Sequence, residues 1–301
     1  GASGYPSAIV AETTGPGNAG SIDLATGSLT LSDGGGISSK TLSLLQDAGT
    51  GGDIGIKASG DIRVAGVNEL WDRVSGIFTD SAGPGAAGRI TVAGRNVELA
   101  EGGYISSSSA FGGEAAGGWG RIEVNASESL RILGTHQWAD GRVDRSGIFT
   151  NTSGGAFAGD IVIETPHLEM RNGGLIASSA LGQMPGARGE GRIDILAGSV
   201  LLSGVGPDGN PTLISTQSEG PGRAGDVTLI AETLELRGGA RISSASYGQG
   251  PDAGDGGGGF INAGNILLSG RRPDGTPTGI NAESTGPGFA GNIAIAAADA
   301  L

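Results

Sequence analysis

The chain repeats itself, and the repeat constrains its fold more than any other feature. A Gly-x pair followed by an alternating apolar run returns with an anchor residue at Ile22, Ile54, Ile90, Ile122, Ile161, Ile193, Val227, Gly259 and Ile293. Gly259 is the irregular member, placed by matching ILAGSVLLSG (195–204) with INAGNILLSG (261–270). The steps between anchors are 32, 36, 32, 39, 32, 34, 32 and 34 residues. Every second step is 32, so two forms alternate and pair into a super-repeat of 66 to 71 residues.

The constant form, A, carries a double glycine, as in RITVAGRNVELAEGGYISSSS (89–109). An isoleucine falls 15 residues past its anchor, at Ile37, Ile105, Ile176 and Ile242. The variable form, B, replaces the double glycine with a longer excursion: VNELWDRVSGIFTD (67–80), THQWADGRVDRSGIFTN (135–151), VGPDGNPTLIST (205–216) and RRPDGTPTGINA (271–282). Each unit holds three short runs in which Ile, Val and Leu alternate with polar residues, which buries one face of a strand. Gly, Asn, Asp and Pro separate the runs as turns require. No helical stripe of ten or more residues is found.

Three short strands per turn at near-constant length predict an all-β chain, a single-stranded parallel β-helix of about nine coils covering 1–301 as one domain. Coils stacked at about 4.8 Å pile equivalent residues into columns and give a rod of roughly 40 Å. Composition agrees: 62 glycines supply corners, while 4% aromatics suits a narrow interior. A β-propeller needs a fourth strand per unit, and an α/β fold needs helical crossovers. The ends, YPSAIVAETTGPGNAG and IAIAAADAL, have no obvious caps. The chain also begins without Met, so it reads as a fragment of a longer protein.

Composition also excludes chemistry. With 18 basic against 31 acidic residues, net −13, there is no basic footprint for nucleic acid or an anionic membrane surface. No apolar run approaches the roughly 20 residues of a membrane span, and GASGYPSAIV is no signal peptide. Cysteine is absent, which removes disulfides and thiolate chemistry. The recurring TGPGNAG-like turns precede a strand, whereas phosphate cradles sit between a strand and a helix. Those turns therefore read as architecture, and no cofactor is expected. His136 and His167 belong to no metal-binding spacing. PDAGDGGGGF (251–260) is the nearest approach to a calcium repeat, with Asp252 and Asp255, and it occurs once. The outward carboxylates Asp23, Glu123, Asp194 and Asp226 read as a solvated face. They also define the enzymatic alternative, a carbohydrate-active β-helix acting as a polysaccharide lyase or hydrolase. The recurrent Ser and Thr of form A read as a polar face with local ladders.

The B excursions are the candidate binding elements, because loops on a scaffold carry function. Trp71 with Arg73, and Trp138 with Arg142 and Arg145, form the candidate partner-binding loops. The competing expectation is that each indole folds back to cover an apolar strand.

The rhythm AG-[DNRS]-I-x-[IVL], LxLxxGGxI-[SA]-S and GPGxAG resembles the repeat regions of filamentous-haemagglutinin-like large exoproteins, and it covers nearly the whole chain. The resemblance implies a right-handed β-helix, two-partner secretion through an outer-membrane transporter barrel, and a place outside a Gram-negative cell or on its surface. It implies adhesion to host or surface glycan or protein, or self-association. Neither the family's secretion domain nor a toxin or protease domain is apparent, so the piece reads as shaft. The expected role is a structural or adhesive rod without an enzymatic centre. A self-assembling repeat domain is a further alternative, since terminal coils expose strand edges.

Overall fold

The computed structural model describes residues 6–110, 120–155, 157–183 and 189–297; the first and last residues of the expected 1–301 domain lie outside these. Every anchor stacks on the next in parallel register: Ile22 on Ile54, Ile54 on Ile90, Ile90 on Ile122, Ile122 on Ile161, Ile161 on Ile193, Ile193 on Val227, Val227 on Gly259 and Gly259 on Ile293. The chain is a right-handed parallel β-helix. A nine-stranded sheet carries a second column, Ile9, Ile37, Ile77, Ile105, Ile148, Ile176, Ile214, Ile242 and Ile280. Only the four form A members are visible at fixed spacing, because the excursions displace the B members along the sequence.

The first two apolar runs are separate strands in the early coils, Ile22–Thr26 with Leu29–Leu31 and Ile54–Ala58 with Ile62–Ala65. From Arg89–Ala100 onward they join into one strand of 11 to 13 residues. The corner survives as a change of phase. Ile90 and Val92 point inward, then Val97 and Leu99, so an even number of residues, 93 to 96, separates the two inward pairs and reverses the phase while pairing continues. The register against the next coil shifts at that bend, between Gly94 and Asn96. Nearly all inward Ile, Val and Leu of the middle coils are fully buried in one continuous core. Each such side chain contributes about 1.5–3 kcal/mol by leaving water.

Backbone contact between coils explains the recurring AG-x corner. A Cβ on Gly225 would lie 1.5 Å from the Gly191 carbonyl oxygen, on Gly257 1.8 Å from that of Gly225, and on Gly291 1.7 Å from that of Gly257. The same collision recurs at Gly52, Gly88 and Gly159. Hydroxyls bind this column from within. The Gly159 carbonyl accepts from Thr150 Oγ1 at 2.8 Å and, one coil on, from Ser178 Oγ at 2.7 Å. Thr79 and Ser107 treat Gly88 alike, and Thr216 and Ser244 treat Gly225 alike. The ladder that the sequence places on a polar face therefore lies partly inside the rod, where every second residue of the Ser-rich runs points.

The outer face of the long strands carries a charge ladder. Arg63, Glu98, Arg131 and Glu169 occupy successive coils in register and pair in sequence. Burial works against the Glu169 carboxylate, but Arg171 and Arg131 hold its pKa below the usual range. Among the described residues no helix is long and apolar enough to cross a membrane.

Candidate functional site

The B excursions leave the coil by a common device. Each begins at a glycine with positive φ, Gly66, Gly134, Gly204 or Gly270. Each closes where the N–H of Ser75, Ser146, Thr212 or Thr278 donates to that glycine's carbonyl, at 3.0 to 3.2 Å. In between, the chain doubles back: Val67–Asn68 pairs antiparallel with Arg73–Val74 and Thr135–Gln137 with Val143–Arg145. Single antiparallel bridges join Val205 to Pro211 and Arg271 to Pro277. The closing hydroxyl reaches one coil back. Ser75, Ser146, Thr212 and Thr278 accept the N–H of Gly34, Gly102, Gly173 and Gly239. These are the glycines of the form A double-glycine turns. At Glu101-Gly102 both residues have positive φ and Gly103 N–H returns to Ala100 at 2.8 Å. That is a tight turn whose second position needs glycine.

The two tryptophans have different surroundings. Trp138 is 7% exposed. Its Nε1 donates to Asp144 Oδ2 at 2.6 Å, its ring meets His136 edge-on at 4.8 Å, and the Arg142 guanidinium lies 4.4 Å over its face. Arg142 also pairs with Asp72 at the tip of the preceding hairpin, tying the two hairpins together. Trp71 is 36% exposed and ends the short 3-10 turn Glu69–Trp71, which Asn68 Oδ1 caps through the Trp71 N–H at 3.2 Å. Leu70 beside it is 78% exposed, and Arg73 is exposed on the return strand. Arg145 points along the rod. It donates to the Gly173 carbonyl at 2.6 Å and to the carbonyls of Gly174 and Pro211. Burial lowers its pKa to about 10, so it stays charged at neutral pH.

The repeated SGIFT (75–79 and 146–150) is a list of structural duties. Serine closes the hairpin and isoleucine enters the core. Threonine binds the corner glycine. Glycine makes room for the phenylalanine: a Cβ on Gly76 would lie 2.1 Å from the Phe78 ring, and on Gly147 2.7 Å from that of Phe149. Tyr104 stands between these rings, 5.2 Å from Phe78 and 5.4 Å from Phe149. An aromatic strip thus runs over three coils at the foot of the first two hairpins. Burial first, then Asp80 and Asp144, raises the Tyr104 pKa to about 12.

A second row of loops sits at another corner, and the sequence reading passes over it. From the third-run isoleucine to the next anchor, form B spends 13 residues (Ile214 to Val227) and form A 17 (Ile242 to Gly259). The constant 32-residue step hides this surplus of four residues, because form A saves at least six at the other corner. Counting from the isoleucine column rather than from anchor to anchor would have found it. The first such corner exposes Leu42, Leu44 and Leu45. The last, at 247–258, opens a cleft of about 460 Å³ beside Tyr247.

The remaining candidates are placed as follows. Glu123 pairs with Arg121 at 2.5 Å. In register it is followed by Val162 and then Asp194, two coils or roughly 10 Å away along the rod. Asp23 stands beside Gly55. Burial works against the Asp226 carboxylate, while Arg223 and the Gly258 N–H hold its pKa low. Asp255 accepts the Phe289 N–H at 2.7 Å, so it braces a corner, and Asp252 is exposed. His167 Nδ1 lies 2.8 Å from Ser199 Oγ on the next coil. Among the described residues no three His, Cys, Asp or Glu are grouped to hold a metal ion. Comparison with protein-family models, with curated proteins and with solved structures returns no match.

Proposed function

We propose that this chain is a structural and adhesive rod segment of a secreted or surface-attached bacterial exoprotein of the filamentous-haemagglutinin-like kind. The observation that carries the reading is the unbroken register of nine anchors. It fixes every loop to one stiff scaffold, as a spacer that presents contacts must. The contacts are the exposed tip Leu70-Trp71, with Arg73 beside it. Trp138, Arg142 and Arg145 support that tip by tying successive hairpins to each other and to the coil. The resemblance of the repeat supplies the rest: export through an outer-membrane transporter barrel and a place outside a Gram-negative cell.

The test uses beads coated with the 301-residue chain and offered to host cells and to glycan- or protein-coated surfaces. Retention above an albumin-coated control, weakened by Leu70→Ala together with Trp71→Ala, supports the reading. Equal retention of the two bead types overturns the adhesive part. Release of reducing ends or unsaturated uronates from a polysaccharide panel would replace it with the carbohydrate-active alternative.

A further inference from the structure

The cleft at 247–253 has the size and lining of a small-ligand site. Its volume, about 460 Å³, lies within the roughly 300–1,000 Å³ of such pockets. Gly220 and Gly248 lend it bare backbone; a Cβ on Gly220 would lie 2.0 Å from the Gly182 carbonyl oxygen, so the stacking itself keeps that stretch free of side chains. Tyr247 forms one wall. Its N–H is fixed to the Ser218 carbonyl at 2.8 Å, and the residue lines the cleft at 39% exposure.

Among the described residues the polar lining is Glu219, Asp252, Gln183 and Gln249, with no Lys or Arg. Much of its hydrogen-bonding capacity is unspent among the described residues. Gln249 Nε2 donates to the Tyr247 carbonyl and to Thr285 Oγ1, which leaves its amide oxygen to accept. Glu219 receives Gln217 on one oxygen and keeps the other. An aromatic wall beside an acceptor-rich rim fits a ligand with C–H faces and many hydroxyl donors. The two lining carboxylates have no basic partner among the described residues, which disfavours an anion.

We propose that this cleft binds a neutral oligosaccharide, which deepens the adhesive reading and rests on it for its biological purpose. The test is a glycan array of neutral and acidic members probed with the 301-residue chain. Calorimetric titration with cellotriose, chitotriose, trigalacturonate and calcium chloride follows. Neutral members should bind, and Tyr247→Ala should weaken them by about tenfold, as expected for a lost stacking face. Tyr247→Phe should retain binding, Asp252→Asn should weaken it, and Leu44→Ala, an exposed residue at the first corner and outside the cleft, should leave it unchanged, with circular dichroism showing each variant folded.

A blank array overturns the site, and so does binding indifferent to Tyr247→Ala. Trigalacturonate binding as tightly as the neutral probes overturns the ligand class. A calcium heat abolished by Asp252→Asn without any saccharide heat makes the cleft a cation site instead. Beads that adhere while the array stays blank would sink the cleft and spare the adhesive reading. Binding to the array by a chain whose beads do not adhere would do the reverse.

Discussion

The Ser146 hydroxyl accepts the Gly102 N–H at 3.0 Å and donates to the Leu133 carbonyl at 3.0 Å. One buried side chain therefore closes its own hairpin and satisfies the turn of the coil before it. In Ser146→Ala the Gly102 N–H is left buried without an acceptor, which costs about 1–3 kcal/mol. Ser146→Thr should recover most of this, since Thr212 holds the equivalent place. Urea midpoints read the difference; a shift below about 0.5 kcal/mol for Ser146→Ala, typical of surface changes, would refute the assigned role.

The corner glycines make a harsher prediction. Gly225→Ala puts a methyl group 1.5 Å from the Gly191 carbonyl oxygen, where neither backbone can give way without breaking the ladder. The variant should fail to fold, or lose more than about 4 kcal/mol, the exceptional end of single-site effects. Gly27→Ala is the control, because nothing lies within 4 Å of its Cβ position. It should leave the thermal midpoint unchanged or raise it slightly. Equal behaviour of the two variants would mean that the coils are not stacked in this register.

These particulars mark what was legible in the sequence. The anchor column could be read residue by residue, even at Gly259, because apolar alternation and a constant step are one-dimensional signals. The inward hydroxyl ladder was misplaced onto a polar face. Ser and Thr carry no hydropathy that distinguishes a side chain bound to a corner carbonyl from one in water. The first two runs read as separate strands, which they are in the coils of Ile22 and Ile54; from Ile90 onward the bend at Gly94 looks like a break, while hydrogen bonding passes through it. The roles of Trp138 and Trp71 were not separable from sequence. Each precedes an Arg and SGIFT, and only the longer second hairpin brings the ring under Arg142. The cleft at Tyr247 escapes because the four extra residues of its corner are outweighed by the shorter corner opposite, which leaves form A the shorter unit.

The two indoles should therefore differ in stability and in spectroscopy. Trp138→Ala removes a buried ring, its bond to Asp144 and its contact with Arg142, for a loss of about 3–5 kcal/mol. Trp71→Ala should cost under about 1 kcal/mol, since its ring is partly exposed at a tip. In variants retaining only one tryptophan, acrylamide should quench Trp71 emission readily and Trp138 emission weakly. Comparable quenching would show that the second hairpin does not close over its ring.

The last prediction concerns alkali. Burial, with Asp80 and Asp144 nearby, raises the Tyr104 pKa from its ordinary 10.0 to about 12. A raised folded-state pKa favours the native chain fully below the unfolded value. The contribution is then lost as pH climbs through the folded one, because the unfolded chain releases its proton first. Stability should accordingly fall between about pH 10 and pH 12. Tyr104→Phe keeps the ring between Phe78 and Phe149 but removes the proton, so this alkaline decline should be shallower in the variant. The difference in tyrosinate absorbance between the native chain and Tyr104→Phe should show a midpoint near 12. A midpoint at the ordinary value would mean that the ring stands in water and that the aromatic strip does not form.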